Sequence, residues 1–163
     1  MLRKLIFLIL FVAPVANTQN SIPVQFLQNS SRNTQIGSFT KNGIIYGSLN
    51  DLAYIFKLRL YTNQSSKKLE IRSDDITIRV TADNSFVVVV DKKENANLIQ
   101  LPVNVIFAAN SFFAPIEPFV AILKNTLPEE IIFTGTAINV GQVVSKSFFD
   151  ITGIRFDDKT NGL

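Results

Sequence analysis

The chain has 163 residues, of which 47% are apolar and 18% charged, and this is enough for one globular domain. It contains neither His nor Cys, which excludes the common zinc sites, iron–sulfur ligation, disulfides and the Ser-His-Asp and Cys-His nucleophile systems. No apolar run reaches the roughly 18 residues that a membrane-spanning helix needs. These features favour a noncatalytic domain with no cofactor and no metal ion.

The first 19 residues have the organisation of a secretory signal peptide. Arg3 and Lys4 precede an unbroken apolar segment, 5–12, and small and polar residues follow. This order is typical of signal peptides, and we expect cleavage between residues 16 and 20. A buried N-terminal helix or an uncleaved anchor is the alternative, although the apolar segment is short for a membrane span. The sequence therefore predicts a secreted protein.

The formal net charge of +3 is concentrated in that first segment. Removal of Arg3 and Lys4 reduces the 16 basic residues to 14, against 13 acidic ones. Because affinity for nucleic acid depends on a large excess of basic side chains, the nearly neutral remainder predicts no nucleic-acid partner.

The first helical pattern follows a polar stretch. Polar residues fill positions 28–35, and we predict a flexible lead-in over residues 20–35. Ser48 can then act as the N-cap of a helix, with Asp51 completing a capping box of the S-x-x-D form. Apolar residues follow at the helical spacing i, i+3, i+4, i+7: Leu49, Leu52, Ala53 and Phe56.

The middle of the chain has the pattern of strands separated by turns. We predict a strand at 68–72, a second at 76–81 where apolar and polar residues alternate, and a third at 86–90. The third is apolar throughout, which predicts that both of its faces are covered. The short spacing between the turns favours an antiparallel sheet.

A second helical pattern repeats the first. Pro115 and Pro118 stand at its start, where a missing N–H costs least, and its apolar residues are Ile116, Phe119, Val120 and Leu123. A shift of 67 positions superposes segment 44–56 on segment 111–123. Each segment predicts a strand that runs into a helix and is followed by another strand, so we predict an internal strand–helix–strand duplication. The predicted fold class is α+β, an antiparallel sheet with two helices.

Two motifs at the helix starts carry a family resemblance. The first reads G-x-x-Y-x-S-L-x-D-L-A from Gly43 to Ala53, and a strand ending at Arg72 follows it. The second reads F-x-P-I over residues 113–116. This arrangement resembles the copper amine oxidase N-terminal-like domain. The resemblance covers most of the chain that follows the signal peptide, and we predict the domain at residues 36–141.

In that family, the domain is attached to secreted and cell-wall proteins of bacteria, including N-acetylmuramoyl-L-alanine amidases. Despite its name it is not the copper site of an amine oxidase, and this chain has no His to bind copper. The resemblance implies a noncatalytic module of the periplasm or cell envelope, placed N-terminal to a zinc-dependent amidase.

Residues 142–163 resemble a linker and the start of an AMIN-type β module, which is also found in cell-wall amidases. The stretch 148–156 is strand-like, and Asn161-Gly162 is a pair that commonly closes a hairpin. A frayed C-terminal tail is the alternative interpretation.

Four residues are candidates for contact with a glycan or a partner protein. Phe148 and Phe149 could stack on sugar rings, and Lys67 and Lys68 could bind an anionic glycan. A second lysine pair, Lys92-Lys93, has the same chemistry. Phe side chains in a core and solvated charges in turns are the alternative readings.

Paired carboxylates are the one catalytic arrangement that this composition leaves open, as in glycoside hydrolysis. The two candidate pairs are Asp74-Asp75 and Glu129-Glu130, both next to predicted turns. Acidic side chains in such places are usually only solvated, so these pairs are weak evidence for catalysis.

Three functions follow from these features. The first is a noncatalytic envelope module that binds peptidoglycan or envelope proteins or acts as a spacer, as the N-terminal part of a cell-wall hydrolase. The second is a secreted self-assembling or surface interaction protein whose open sheet edges recruit a strand. The third is a hydrolase that uses carboxylates alone, with Asp75 and Glu130 as its candidates.

Overall fold

A computed structural model describes residues 20–143, which form twelve β-strands, two α-helices and one turn of 3₁₀ helix at Ser30–Arg32. The helices are α1 (Leu49–Ile55) and α2 (Ile116–Thr126). The strands are β1 (Asn20–Phe26), β2 (Thr34–Lys41), β3 (Ile44–Ser48), β4 (Arg59–Asn63), β5 (Lys68–Arg72), β6 (Ile76–Thr81), β7 (Phe86–Asp91), β8 (Ala96–Gln100), β9 (Ile106–Ala108), β10 (Ser111–Pro115), β11 (Glu129–Phe133) and β12 (Ile138–Val143). The predicted α+β class is confirmed.

The predicted signal peptide, 1–19, lies outside the described residues, as does 144–163, most of the predicted linker and AMIN-like module. Neither α1 nor α2 is long and apolar enough to cross a membrane.

The strands form two sheets, so the expectation of one antiparallel sheet is wrong. Seven strands form a mixed sheet in the order β11-β12-β1-β2-β3-β10-β9, and five form an antiparallel meander in the order β4-β5-β6-β7-β8. The parallel pair joins β1 to β12, with Val24 opposite Ile138. These two strands come from opposite ends of the described chain, and no local pattern marks such a pairing.

Residues 20–35 are not a flexible lead-in, because β1 lies inside the larger sheet between β2 and β12. Ile22, Val24 and Phe26 are buried and alternate with exposed residues, the period of a strand with one covered face. The polar residues that follow make the turn into β2, where the Asn33 side-chain oxygen accepts a hydrogen bond from the Phe26 N–H at 2.8 Å. The polar residues therefore belong to one turn, whereas the residues before them form a strand.

Helix α1 begins where the sequence predicts. The Ser48 hydroxyl caps it by accepting a hydrogen bond from the Asp51 N–H at 3.2 Å. In a capping box the Asp51 carboxylate would accept a hydrogen bond from the Ser48 N–H. It instead accepts one from the Gly37 N–H of β2 at 2.7 Å. The helix start is thereby attached to the larger sheet.

The two predicted repeat segments share their local geometry. Strands β3 and β10 pair antiparallel, with Gly47 opposite Ala114, and these are the residues that the shift of 67 superposes. A local two-fold axis therefore passes near this pair. The correspondence ends after the helices, because β4 joins the five-stranded sheet whereas β11 joins the seven-stranded one.

Strand β7 differs from its prediction. Val87 and Val89 are buried, but Phe86 on the opposite face is 41% exposed. Only one face of the strand is therefore covered. In an antiparallel meander one face packs on the core and the other meets solvent, even where the residues are apolar on both.

One hydrophobic cluster joins the two sheets. It contains Val24 and Ile36 of the larger sheet, Leu69 and Ile78 of the smaller one, and Phe119 of α2. Since burying a side chain of this size contributes about 1.5–3 kcal/mol, the shared cluster anchors the inner face of the five-stranded sheet and leaves its outer face to solvent.

Candidate functional site

The outer face of the five-stranded sheet is the candidate site. Side chains of a strand alternate between faces: Leu69 and Ile71 of β5 point into the core, and Lys68, Glu70 and Arg72 point away from it. The register of the meander aligns one residue from each strand across this outer face: Tyr61, Glu70, Arg79, Val88 and Leu98.

The outer face has two halves of different chemistry. We define the basic half by the outward residues of β4, β5 and β6 that carry charge or an aromatic ring: Arg59, Tyr61, Lys68, Glu70, Arg72 and Arg79. We define the apolar half by Phe86, Val88 and Leu98 of β7 and β8.

Glu70 stands at the centre of the basic half and binds two arginines. Its carboxylate accepts hydrogen bonds from both Nε, at 3.0 Å, and Nη2 of Arg72. The second oxygen accepts from Arg79 Nε at 3.1 Å. These partners, Arg72 first among them, lower the pKa of Glu70 below its ordinary value and outweigh the opposing effect of burial.

The same contacts position an aromatic ring. The Arg72 guanidinium lies over the Tyr61 ring, 4.5 Å from its centroid, a cation–π arrangement. Tyr61 remains 50% exposed. Glu70, Arg72 and Tyr61 therefore form a connected series that holds a ring and a cation side by side at the surface.

The balance of charge in the basic half is positive. Four basic side chains against one carboxylate give a net charge of +3. Arg59 also contacts Asp74 in the β5–β6 turn at 3.1 Å, but both side chains are mostly exposed, so the pair is worth little. Within residues 20–143, Lys68 forms no ion pair.

The four predicted contact residues do not form one cluster. Lys68 lies in the basic half of the outer face. Lys67 lies in the β4–β5 turn with a positive φ of 48°, and its ammonium is 3.8 Å from the Asp83 carboxylate. Phe148 and Phe149 lie outside the described residues.

The candidate catalytic carboxylates belong to different sheets. Asp74 and Asp75 lie in the β5–β6 turn, where Asp74 contacts Arg59 and Asp75 contacts Lys92. Glu129 and Glu130 lie on β11. The hydrogen bond to Asp75 raises the pKa of Lys92, and this contact places Lys92 beside the β5–β6 turn.

Sequence reasoning missed most of the basic half. Tyr61, Arg72 and Arg79 were not singled out, although the alternation in 76–81 already placed Arg79 on the solvent face of its strand. Only the register between strands brings these three beside Glu70. The alternation of residues along one strand shows which face of the sheet a side chain is on. Its neighbours on the adjacent strands depend on how the strands pair.

Comparisons with protein-family models, with curated proteins and with solved structures found no match to this chain.

Proposed function

We propose that this chain is a noncatalytic module of the bacterial cell envelope that binds peptidoglycan through the outer face of its five-stranded sheet. The observation that carries the proposal is the basic half of that face, where a net charge of +3 and the exposed Tyr61 ring lie on a rigid antiparallel sheet.

The chemistry of the face matches that of the polymer. Peptidoglycan carries carboxylates on its peptides and sugar rings along its glycan strands. Guanidinium groups such as that of Arg79 pair with carboxylates through charge-assisted hydrogen bonds. An exposed Tyr ring offers an apolar body and a polar hydroxyl to a sugar. Both kinds of contact are available within one row of the sheet.

The resemblance to the copper amine oxidase N-terminal-like domain supports the proposed place of action. It also supports the proposal that the module stands N-terminal to a cell-wall hydrolase similar to N-acetylmuramoyl-L-alanine amidases. Export through the segment 1–19 would place the module in the periplasm or envelope. Reading the DNA downstream of the Leu163 codon tests this: we expect an open frame that encodes a domain with His and Glu zinc ligands, and an immediate stop codon would contradict it.

A pelleting assay tests binding. Residues 20–163, with and without the double change Lys68→Ala and Arg79→Ala, are mixed with purified peptidoglycan sacculi and centrifuged. We expect the unmodified chain to pellet with the sacculi and the double variant to be at least tenfold weaker, since two charge-assisted contacts are lost. Retention should also fall as NaCl is raised, because exposed charges are screened by salt.

The matched control removes two exposed basic residues elsewhere. Lys41→Ala with Lys57→Ala makes the same change in net charge but leaves the outer face intact, and we expect it to bind like the unmodified chain. Equal losses in both double variants would indicate nonspecific attraction, and equal binding to duplex DNA would do the same. No retention of the unmodified chain would leave only the spacer role.

A further inference from the structure

Within residues 20–143 the two sheets have four edges, and one of these edges has none of the usual protections. An edge strand exposes unpaired backbone groups that can pair with another chain, and proteins usually guard it with charge or shortness. Strand β9 has only three residues, β11 begins with Glu129 and Glu130, and β4 begins with Arg59. Strand β8, Ala96–Gln100, contains no charged residue and no proline.

The hydrogen bonds at the two ends of β8 show which of its backbone groups are free. The Asp91 N–H donates to the Asn95 carbonyl at 3.1 Å, and the Leu101 N–H donates to the Ser85 carbonyl at 2.7 Å. Hydrogen-bonded pairs alternate along an antiparallel ladder, so the odd-numbered residues of β8 bond to β7. The even-numbered residues, Leu98 at their centre, direct their N–H and C=O groups to the open edge.

Leu98 is also the residue about which two β8 strands can pair without opposing like charges. If two β8 strands pair antiparallel about Leu98, Ala96 faces Gln100 and Asn97 faces Ile99, so no like charges meet. The Leu98 side chain is 63% exposed, and Phe86 on the neighbouring strand is 41% exposed. Pairing would join the apolar halves of two outer faces into one strip across the seam.

We propose that β8 pairs with β8 of a second copy of this chain, which forms a two-fold symmetric dimer with one continuous ten-stranded sheet. Each copy contributes the same strand, as an isologous interface requires. The inference does not depend on the proposed function, because it uses the edge and the apolar half of the sheet, whereas peptidoglycan binding uses the basic half.

Replacement of Leu98 by proline tests the pairing directly. The Leu98 N–H points to the open edge, so Leu98→Pro removes a donor that the monomer does not use, a place where strands tolerate proline. Sedimentation equilibrium over a concentration series measures the dissociation constant of the dimer. Two central hydrogen bonds disappear, one per copy, and we expect the dissociation constant to rise roughly 30-fold.

The matched control is Thr62→Pro on the other edge of the same sheet. The Ala82 N–H donates to the Lys67 carbonyl and the Ser73 N–H to the Ile76 carbonyl, both at 2.9 Å. By the same alternation, the Thr62 N–H faces the open edge of β4, and we expect its replacement to leave dimerisation unchanged. A sedimentation result that shows only monomer for the unmodified chain overturns the proposal, as does an equal effect of both prolines.

Disulfide cross-linking tests the same pairing without proline, in case Leu98→Pro prevents folding. The chain has no Cys, so Leu98→Cys introduces a single thiol at the two-fold axis. The Cα atoms of a hydrogen-bonded antiparallel pair lie about 5.5 Å apart, within the range that a disulfide spans. We expect oxidation to give a covalent dimer with Leu98→Cys and none with Thr62→Cys. Equal cross-linking of the two variants would contradict the pairing.

Discussion

At the scale of single residues, Glu70 connects side chains from three neighbouring strands. Its carboxylate holds the guanidinium groups of Arg72 and Arg79, and Arg72 in turn lies over the Tyr61 ring. A carboxylate with such partners prefers its charged form. The orientation of two arginines and one aromatic ring therefore depends on the ionisation of one side chain.

This dependence predicts the titration of Glu70. We expect a pKa below the ordinary value of 4.5 in an NMR titration. Arg72→Ala should raise that pKa more than Arg79→Ala does, because Arg72 is the larger cause of the shift. The stabilisation from the contact is fully present above the unfolded-state pKa and is lost as pH falls through the lowered folded-state pKa.

The control for this titration is Glu70→Gln, which carries no titrating group at that position. The difference in unfolding free energy between the unmodified chain and Glu70→Gln should shrink as the solution is acidified. A difference that stays constant down to strongly acid pH would contradict the linkage.

Gly47 illustrates a second constraint at the same scale, the close approach of a helix to a sheet. A Cβ atom at Gly47 would lie 2.6 Å from Ile116 Cδ1 of α2 and 3.0 Å from Ile36 Cδ1. Both isoleucines are almost fully buried, so they have little room to move. The absence of a side chain at Gly47 allows the two elements to pack.

We therefore expect Gly47→Ala to lower the free energy of unfolding by about 1–3 kcal/mol, the usual cost of overpacking a core. Urea denaturation measures the change. Gly141→Ala is the control with the milder contact, because its Cβ would come no closer than 3.3 Å to Cβ and Oε2 of Glu130. Glu130 is exposed, so we expect a smaller loss than for Gly47→Ala. Equal losses for the two variants would mean that the contact with α2 is not the cause.

At the scale of elements, the duplication extends further than the strand–helix–strand segments. The β2–β3 hairpin turns at Asn42 and Gly43, and the β9–β10 hairpin turns at Ala109 and Asn110. All four residues have positive φ, as the two-residue type I′ turn requires. The two turns are again 67 positions apart, so the same hairpin precedes both helices.

The residues of the β9–β10 turn suit a type I′ turn less well than those of the β2–β3 turn. Asn-Gly suits a type I′ turn, whereas Ala109 adopts a φ of 47° that costs about 1–2 kcal/mol for a residue with a Cβ. We expect Ala109→Gly to raise the free energy of unfolding by about 1 kcal/mol, as measured by chemical denaturation. Ala108→Gly, one position earlier in β9, should lower it, since glycine weakens a strand. Stabilisation by both changes would rule out relief of strain as the cause.

At the scale of the whole molecule, the five-stranded sheet lies in sequence between the two repeat units and packs on the core that they share. Its inner face contributes Leu69, Ile71 and Ile78 to the common hydrophobic cluster. Within the described residues no strand pairs with its β8 edge, and Tyr61, Phe86 and Leu98 of its outer face are exposed. The proposed peptidoglycan contact and the proposed dimer both use this sheet, on its β5–β6 side and at its β8 edge respectively.

In the proposed dimer the two basic halves would lie at opposite ends of a ten-stranded sheet. Such an arrangement presents two binding surfaces to one extended polymer, and linked sites bind more tightly than single ones when the geometry allows both to engage. The assembly and the binding are nevertheless separate, because Leu98→Pro removes no basic residue and Lys68→Ala does not touch the β8 edge.

Most local elements of this protein can be predicted from its sequence alone. Strands β5 and β6 have the predicted bounds, α1 begins after Ser48, and α2 begins after Pro115. The strand predicted to follow the second helix is found at Glu129–Phe133. These features are legible because caps, turn residues and hydrophobic periods act over a few residues.

The way in which these elements combine depends on contacts between distant parts of the chain. The division into two sheets, the parallel pairing of β1 with β12, and the row that joins Tyr61, Glu70 and Arg79 all depend on which strands become neighbours. Neighbouring strands are selected by the burial of apolar faces contributed by distant parts of the chain. A local pattern shows that a strand has an apolar face, but not which other face will cover it.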